Sequence, residues 1–167
     1  GSMGKISGCW RETPAAVALS RCAGVLAVLL FLVSCSAGRK VRSAFGGQLP
    51  IDVTIAASAN DNSPIAVDLL VVYDDKLVDK LVEMPAAEWF TKRQQFIADH
   101  PKVVLQSWEW VPGQEIEPFK VRYGSGARNV VLFAHYRTEG PHRRVIGSPK
   151  PFRIVLGERD ITVEVAQ

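Results

Sequence analysis

The sequence predicts a mainly β protein, in which about eight strands form a two-sheet β-sandwich with a small helical insertion. Three observations lead to this fold class. Apolar and polar residues alternate in several short segments after Pro50, and clusters rich in glycine, proline and asparagine separate these segments. One stretch, residues 74–100, has helical spacing instead. Regularly spaced short strands are typical of sandwiches and barrels. The 167 residues suffice for one domain with a tail.

The N-terminal region is predicted to be separate from that domain. Lys5, Arg11 and Arg21 precede an apolar run over residues 22–33, which is 12 residues long and carries no charge. Crossing a bilayer takes about 20 apolar residues, so the run is too short to span. Basic flanks and this length are typical of a secretory signal. Residues 1–34 are therefore predicted to be a tag remnant and a signal peptide, with a buried core helix as the alternative.

The apolar run ends in Leu32-Val33-Ser34-Cys35, which resembles a bacterial lipobox. The resemblance implies acylation of Cys35, cleavage before it, and anchoring of the mature chain in the lipid of the outer membrane. The alternative is an ordinary signal peptide with a coincidental cysteine. The other two cysteines, Cys9 and Cys22, precede the cleavage point, so the mature chain is predicted to contain no disulfide.

A lipidated flexible tether is predicted over residues 35–50. This segment is small, basic and glycine-containing, with no clear periodicity. Its bases Arg39, Lys40 and Arg42 either contact anionic headgroups or are simply solvated. The net charge is +3 for the whole chain but −2 past Pro50. The remaining domain, residues 51–167, therefore lacks the basic excess of a nucleic-acid-binding protein.

The strands follow in order. Period-two alternation or continuous apolar runs predict strands at 51–55, 65–73, 103–111, 116–123, 129–137, 143–146, 152–156 and 161–165. The spacing in 103–111 places Trp108 and Trp110 on one face. Between the second and third strands, Asp74 and Asp75 suit a helix start and Pro85 suits the start of a second helix. The aromatic residues of this insertion are expected to pack on the sandwich.

No catalytic or metal-binding pattern emerges. His100, His135 and His142 lack the close spacing of metal ligands, so no metal and no cofactor are predicted. Asp68 lies within an apolar strand and is expected to face solvent or to pair with an arginine rather than to catalyse a reaction. The protein is accordingly predicted not to be an enzyme.

The order of the segments resembles the outer-membrane lipoprotein of the type VI secretion membrane complex (TssJ-type). Four features carry the resemblance: Ser63-Pro64 leading into IAVDLLVVY, a helical stretch ending in Trp89-Phe90, the turn at 111–115 (VPGQE), and the strand VVLFAHYR. The C-terminal strand pair at 152–165 fits too. The match extends over most of the chain from Ile51 onward. Departures are the Val-Val-Tyr end of the second strand and the short first loop, residues 59–64.

The resemblance implies a transthyretin-like sandwich and a structural role. Such a lipoprotein anchors a trans-envelope complex at the periplasmic face of the outer membrane. It binds the periplasmic C-terminal domain of an inner-membrane secretion subunit (TssM-like). The expected contact residues fall in two loops: Asn60, Asp61, Asn62 and Ser63 in the first, and Arg137, Glu139 and His142 in the second.

Two other classes of function remain open from the sequence. One is a pilotin-like lipoprotein that escorts an outer-membrane component. The other is an envelope enzyme or ligand-binding lipoprotein, which would need a deep polar pocket with perturbed titratable groups.

Overall fold

A computed structural model describes Gly1 and residues 46–165 of the chain. The predicted signal peptide, the lipidation site Cys35 and the tether up to residue 45 lie outside the described residues. Within the described part, no helix is long and apolar enough to cross a membrane.

The described residues form eight strands and two α-helices. The strands are β1 (Gly47–Ile55), β2 (Ile65–Val72), β3 (Val104–Trp110), β4 (Phe119–Tyr123), β5 (Asn129–Ala134), β6 (Arg143–Gly147), β7 (Phe152–Leu156) and β8 (Ile161–Val165). The helices, α1 (Asp75–Glu83) and α2 (Ala86–Asp99), lie between β2 and β3, and a 3-10 turn (Ala59–Asn62) lies between β1 and β2. The predicted fold class, a β-sandwich with a small helical insertion, is confirmed.

The strands form two four-stranded sheets. Sheet A has the order β4-β1-β7-β8 and sheet B the order β3-β2-β5-β6. All pairs are antiparallel except β1 and β7, which run parallel with Ile51 opposite Phe152. The N-terminal strand therefore lies in the interior of sheet A, between two strands from the second half of the chain.

The core between the sheets follows from alternation along the strands. Leu49, Ile51 and Ile55 of β1 point inward and are buried, and on β2 the inward positions are likewise apolar. Trp108 and Trp110 stack with ring centroids 5.3 Å apart, which confirms their predicted common face. Burying such side chains contributes about 25 cal/mol per Å² of apolar surface. The apolar side chains buried between the two sheets therefore stabilise the domain.

The helical insertion covers the outer face of sheet B. The Asp74 carboxylate accepts a hydrogen bond from the Lys76 N–H at 3.0 Å and caps α1. Pro85 precedes the first residue of α2, where a missing N–H costs little. Trp89 is fully buried and stacks on Phe133 of β5 at 5.0 Å. The predicted packing of the insertion's aromatic residues on the sandwich is confirmed.

Three predicted strand boundaries differ from the structure by three residues or more. Strand β1 begins at Gly47 and not at residue 51, because residues 47–51 pair with β4; residues 47–50 belong to the sheet and not to the tether. Strand β4 begins only at Phe119, after Pro118, which has no N–H for a sheet ladder. Strand β5 ends at Ala134 and does not extend to residue 137.

Candidate partner-binding surface

The first predicted loop is a left-handed turn. Asn60, Asp61 and Asn62 have φ values of 50°, 55° and 55°. Asparagine and aspartate tolerate this region better than other non-glycine residues because their short side chains form local hydrogen bonds. The Asn60 Nδ2 donates to the Pro64 carbonyl oxygen at 2.9 Å, and the Ser63 N–H donates to the Asn60 carbonyl oxygen at 3.1 Å. The asparagine-rich sequence thus determines the shape of the turn.

The structure brings the two predicted loops together. The Arg137 N–H donates to Asn60 Oδ1 at 2.7 Å, and the Arg137 guanidinium donates to the Ser63 hydroxyl at 2.9 Å. The Asn60 N–H donates to the Glu158 carbonyl oxygen at 2.9 Å, which adds the turn between β7 and β8. We call residues 59–64, 135–142 and 157–160 together the loop end. Hydrogen bonds centred on Asn60 join its three segments.

The predicted contact residues differ in exposure. Asp61, Asn62, Arg137 and Glu139 are exposed, and Ser63 is half-buried. Asn60 and His142 are only 2% and 4% exposed. Their side chains therefore contact other residues inside the loop end and are not exposed for contact with a partner.

His142, at the end of the second loop, has a φ of 40°, which is uncommon for a non-glycine residue. Its ring stacks on Tyr136 with centroids 5.0 Å apart. The ring Nδ1 is 3.0 Å from Asp160 Oδ1, and Nε2 is 2.7 Å from the Thr138 carbonyl oxygen. A side chain at position 140 would collide with this ring, because a Cβ there would be 2.9 Å from it; Gly140 leaves the necessary space.

Asp160 is the anionic centre of this cluster. Its Oδ2 accepts from the Arg144 guanidinium at 2.6 Å, and its Oδ1 accepts from the Ile161 N–H at 2.8 Å. Partial burial raises the pKa of the Asp160 carboxyl, but hydrogen bonds from His142, Arg144 and the Ile161 N–H outweigh it and lower the pKa overall. Burial, together with the Asp160 charge, raises the pKa of the Tyr136 hydroxyl. The Tyr136 hydroxyl remains a donor to the Gly157 carbonyl oxygen at 3.0 Å.

Sequence reasoning missed Glu158, Arg159 and Asp160 as members of this surface. Glu158 and Arg159 are exposed. The Arg159 carbonyl oxygen accepts from the Thr138 hydroxyl at 2.9 Å. The sequence indicated a short turn after Gly157. It did not indicate which other strands lie beside the two strands that this turn joins, so the position of the turn in the fold could not be predicted.

Asp68 is buried on the helix-covered face of sheet B. It is fully buried and accepts from the Trp89 indole N–H at 2.8 Å and from the Arg93 guanidinium at 3.1 Å and 3.2 Å. Of the two expectations for Asp68, arginine pairing is confirmed and solvent exposure is wrong. These side-chain hydrogen bonds join α2 to β2.

Two open clefts lie away from the loop end. One, of about 260 Å³, is bordered by Pro50, Asp52, Arg153 and Glu164; the other, of about 360 Å³, by Tyr73, Asp74, Asp99 and His100, among others. Among the described residues, no group of three His, Cys, Asp or Glu side chains is placed to hold a metal ion. The exposed side chains of the loop end include Asp61, Asn62, Arg137, Glu139, Glu158 and Arg159.

The fold is shared with components of type VI secretion. TssJ1, a T6SS lipoprotein from Pseudomonas aeruginosa, matches with 16% identity and a TM-score of 0.55 over 73% of this chain and 98% of its own. Lip from Serratia marcescens, a membrane-bound component of the Type VI secretion system, matches with 14% identity and a TM-score of 0.56 over 73% and 99%. A chain in a structure of the T6SS protein TssM C-terminal domain from EAEC matches with 14% identity and a TM-score of 0.52, again over 73% and 99%.

These matches extend over nearly the whole of each solved chain, and they establish a TssJ-like fold. No protein-family model and no curated protein matches the sequence. The resemblance recognised in the sequence is thus confirmed at the level of fold, and the similar solved structures are components of a secretion apparatus.

Proposed function

We propose that this chain is an outer-membrane-anchored lipoprotein that tethers a type VI secretion membrane complex. In this proposal, Cys35 carries the acyl chains on the periplasmic face of the outer membrane. The folded domain binds the periplasmic C-terminal domain of a TssM-like inner-membrane subunit, and it catalyses no reaction. Stable anchoring by lipid takes more than one acyl chain, which an N-acylated, diacylglyceryl-modified cysteine provides.

One observation carries the proposal: the domain matches T6SS lipoproteins along nearly their whole length. A chain of the same fold in a structure of the TssM C-terminal domain supports the choice of partner. The distribution of exposed charge supports the choice of surface. Asp61, Arg137, Glu139, Glu158 and Arg159 project from the loop end, which hydrogen bonds hold in one conformation, and a preformed surface loses less entropy on binding.

The surface is tested with substitutions that preserve the turn. We expect Asp61→Asn, Asn62→Gly and Glu139→Gln, combined in one variant, to weaken binding to the partner's periplasmic domain at least about tenfold, or about 1.4 kcal/mol. Asparagine and glycine both tolerate positive φ, so the loop keeps its shape. Calorimetric titration with the purified partner domain measures the change.

The matched control removes charges at the opposite end of the sandwich. Asp99→Asn, Lys102→Gln and Arg128→Gln change three exposed side chains there and should leave the affinity unchanged. Equal affinity of both triple variants and the wild type would exclude the loop end as the docking surface. Capture of an outer-membrane pore instead of an inner-membrane subunit from solubilised membranes would favour the pilotin-like function.

A further inference from the structure

Strand β3 is an edge of sheet B and is the longest of the edge strands in the described part of the chain. It has seven residues, against five in each of β4, β6 and β8. Its register with β2 runs without a shift from Val104 to Trp110. It contains one charged residue, Glu109, and neither proline nor glycine. An edge strand with these features is a template for pairing with a strand of another chain.

Hydrogen bonding shows which main-chain groups of β3 point away from the sheet. The His135 N–H donates to the Ala66 carbonyl oxygen at 2.8 Å, so the even-numbered residues of β2 bond to β5 and the odd-numbered ones bond to β3. Val67 of β2 lies opposite Trp108, so the even-numbered residues of β3 bond to β2. The outward-pointing N–H and C=O groups therefore belong to three residues: Leu105, Ser107 and Glu109.

These three residues form an open edge. Ser107 and Glu109 are exposed, and Leu105 is half-buried. In the part of the chain that the structure describes, no turn or loop backbone forms a hydrogen bond with any of them. The N–H of Val111, two residues beyond Glu109, is already bonded to Gln114 Oε1 at 3.1 Å. A pairing strand would thus lie along residues 105–109.

The other edge strands are less suited to pairing. Strand β4 carries Lys120 and Arg122 within five residues, and these bases would lie opposite each other if two copies paired antiparallel. The register of β6 shifts against β5 between Val130 and Val131. Strands β6 and β8 also contact each other, and the bond between Arg144 and Asp160 joins them.

We propose that β3 pairs antiparallel with β3 of a second copy of this chain, so that their two B sheets become one continuous sheet. In a two-fold arrangement centred on Ser107, each Ser107 lies opposite its counterpart, and Glu109 lies opposite Leu105 of the second copy. Residues that face each other in this way exchange two main-chain hydrogen bonds. The pairing goes beyond the function proposed above and does not depend on it.

The sequence of β3 is complementary to itself in this register. Its one charge, Glu109, faces an apolar residue, and the two Glu109 residues are about 13 Å apart along the strands, because four residues separate their positions. On the other face of the strand, Trp108 lies beside Gln106 of the second copy. No like charges therefore oppose each other across the pair, and this favours a second copy as the occupant of the edge.

Cross-linking of the full chain in detergent tests the register. The two Ser107 Cα atoms would be about 5.5 Å apart, so Ser107→Cys should give a covalent dimer with a bifunctional thiol reagent that spans this separation but not 13 Å. Glu109→Cys, on the same edge, is the matched control and should cross-link no more than the wild type, whose own cysteines set the baseline. Equal cross-linking of the two variants would overturn the proposal.

A second pair of variants tests the main-chain bonds. Proline at position 107 removes an outward N–H, which an edge strand tolerates, whereas Ser107→Ala keeps it. We expect Ser107→Pro to weaken dimerisation at least about tenfold in sedimentation equilibrium, and Ser107→Ala to leave it unchanged. Equal dimerisation of Ser107→Pro and Ser107→Ala would contradict pairing through β3. A monomeric wild type whose binding to the TssM-like domain is lost in Ser107→Pro would assign this edge to that partner and overturn the proposal.

Discussion

Asp68 gives this fold a polar connection in a place where apolar packing alone would be expected. Its carboxylate is fully buried between β2 and α2, and its two partners, Trp89 and Arg93, both belong to α2. Apolar contacts are non-directional, but hydrogen bonds from two side chains of one helix to a single carboxylate restrict both the rotation and the position of that helix along the sheet. Asp68 thus determines how the helical insertion sits on sheet B.

Removing this carboxylate should destabilise the domain. We expect Asp68→Ala to lower the free energy of unfolding by about 3 kcal/mol, because a buried indole N–H and a partly buried guanidinium lose their acceptor. Urea denaturation followed by tryptophan fluorescence measures it. Asp79→Ala, at an exposed position of α1, should change stability by less than about 0.5 kcal/mol. Equal effects of the two substitutions would mean that the buried carboxylate contributes nothing to stability.

Asp160 should make the stability of the loop end sensitive to acid. Its folded-state pKa is lowered from 3.8, so its contribution is complete above that value and is lost as the pH falls toward the lower folded-state pKa. The free energy of unfolding of the wild type should therefore decline more steeply below about pH 4 than that of Asp160→Asn. Parallel curves from pH 7 to pH 3 would contradict this assignment.

Among the elements, the 3-10 turn at Ala59–Asn62 supplies the residue whose hydrogen bonds join the segments of the candidate surface. One side chain, Asn60, satisfies the Arg137 N–H and the Pro64 carbonyl oxygen while its own backbone has φ of 50°. Asn60 therefore makes two contributions: its side-chain amide forms the hydrogen bonds, and its backbone tolerates the left-handed conformation.

Two substitutions separate these contributions. Asn60→Gly keeps the backbone freedom and loses the amide, while Asn60→Ala loses both. We expect Asn60→Ala to be less stable than Asn60→Gly by about 1 kcal/mol, the lower end of the cost of a left-handed alanine. Both variants should lose hydrogen-exchange protection at the Arg137 N–H. Full protection in Asn60→Gly would contradict the role of the amide.

The strands and helices were largely predictable from sequence because their signals are local. Period-two alternation and continuous apolar runs located the eight described strands, and the spacing after Asp74 located both helices. The composition of the loop end was not predictable, since Asn60 and Arg137 are 77 positions apart and their hydrogen bond leaves no periodic pattern. His142 likewise contacts Asp160, which is 18 positions away and which no local pattern in the sequence connects with it.

At the scale of the whole molecule, the chain has two chemically different sections. The basic N-terminal section carries the predicted lipidation site, whereas the domain after Pro50 has a net charge of −2. We expect Cys35→Ser to move the protein from the membrane fraction to the soluble fraction on cell fractionation, because the acyl chains would be missing. Cys22→Ser, in the predicted signal peptide, should leave it membrane-bound. Retention of Cys35→Ser in membranes would contradict the lipid anchor.

The interior position of β1 has a consequence for the timing of folding. A chain that is synthesised from its N-terminus holds its first strand ready long before β7 and β8, at residues 152–165, exist to complete the sheet. Such non-local pairing slows folding, because the chain loses the entropy of closing a long loop before the stabilising contacts between these strands form. Slow folding leaves the chain unfolded for longer after synthesis, which suits the export that the proposed function requires.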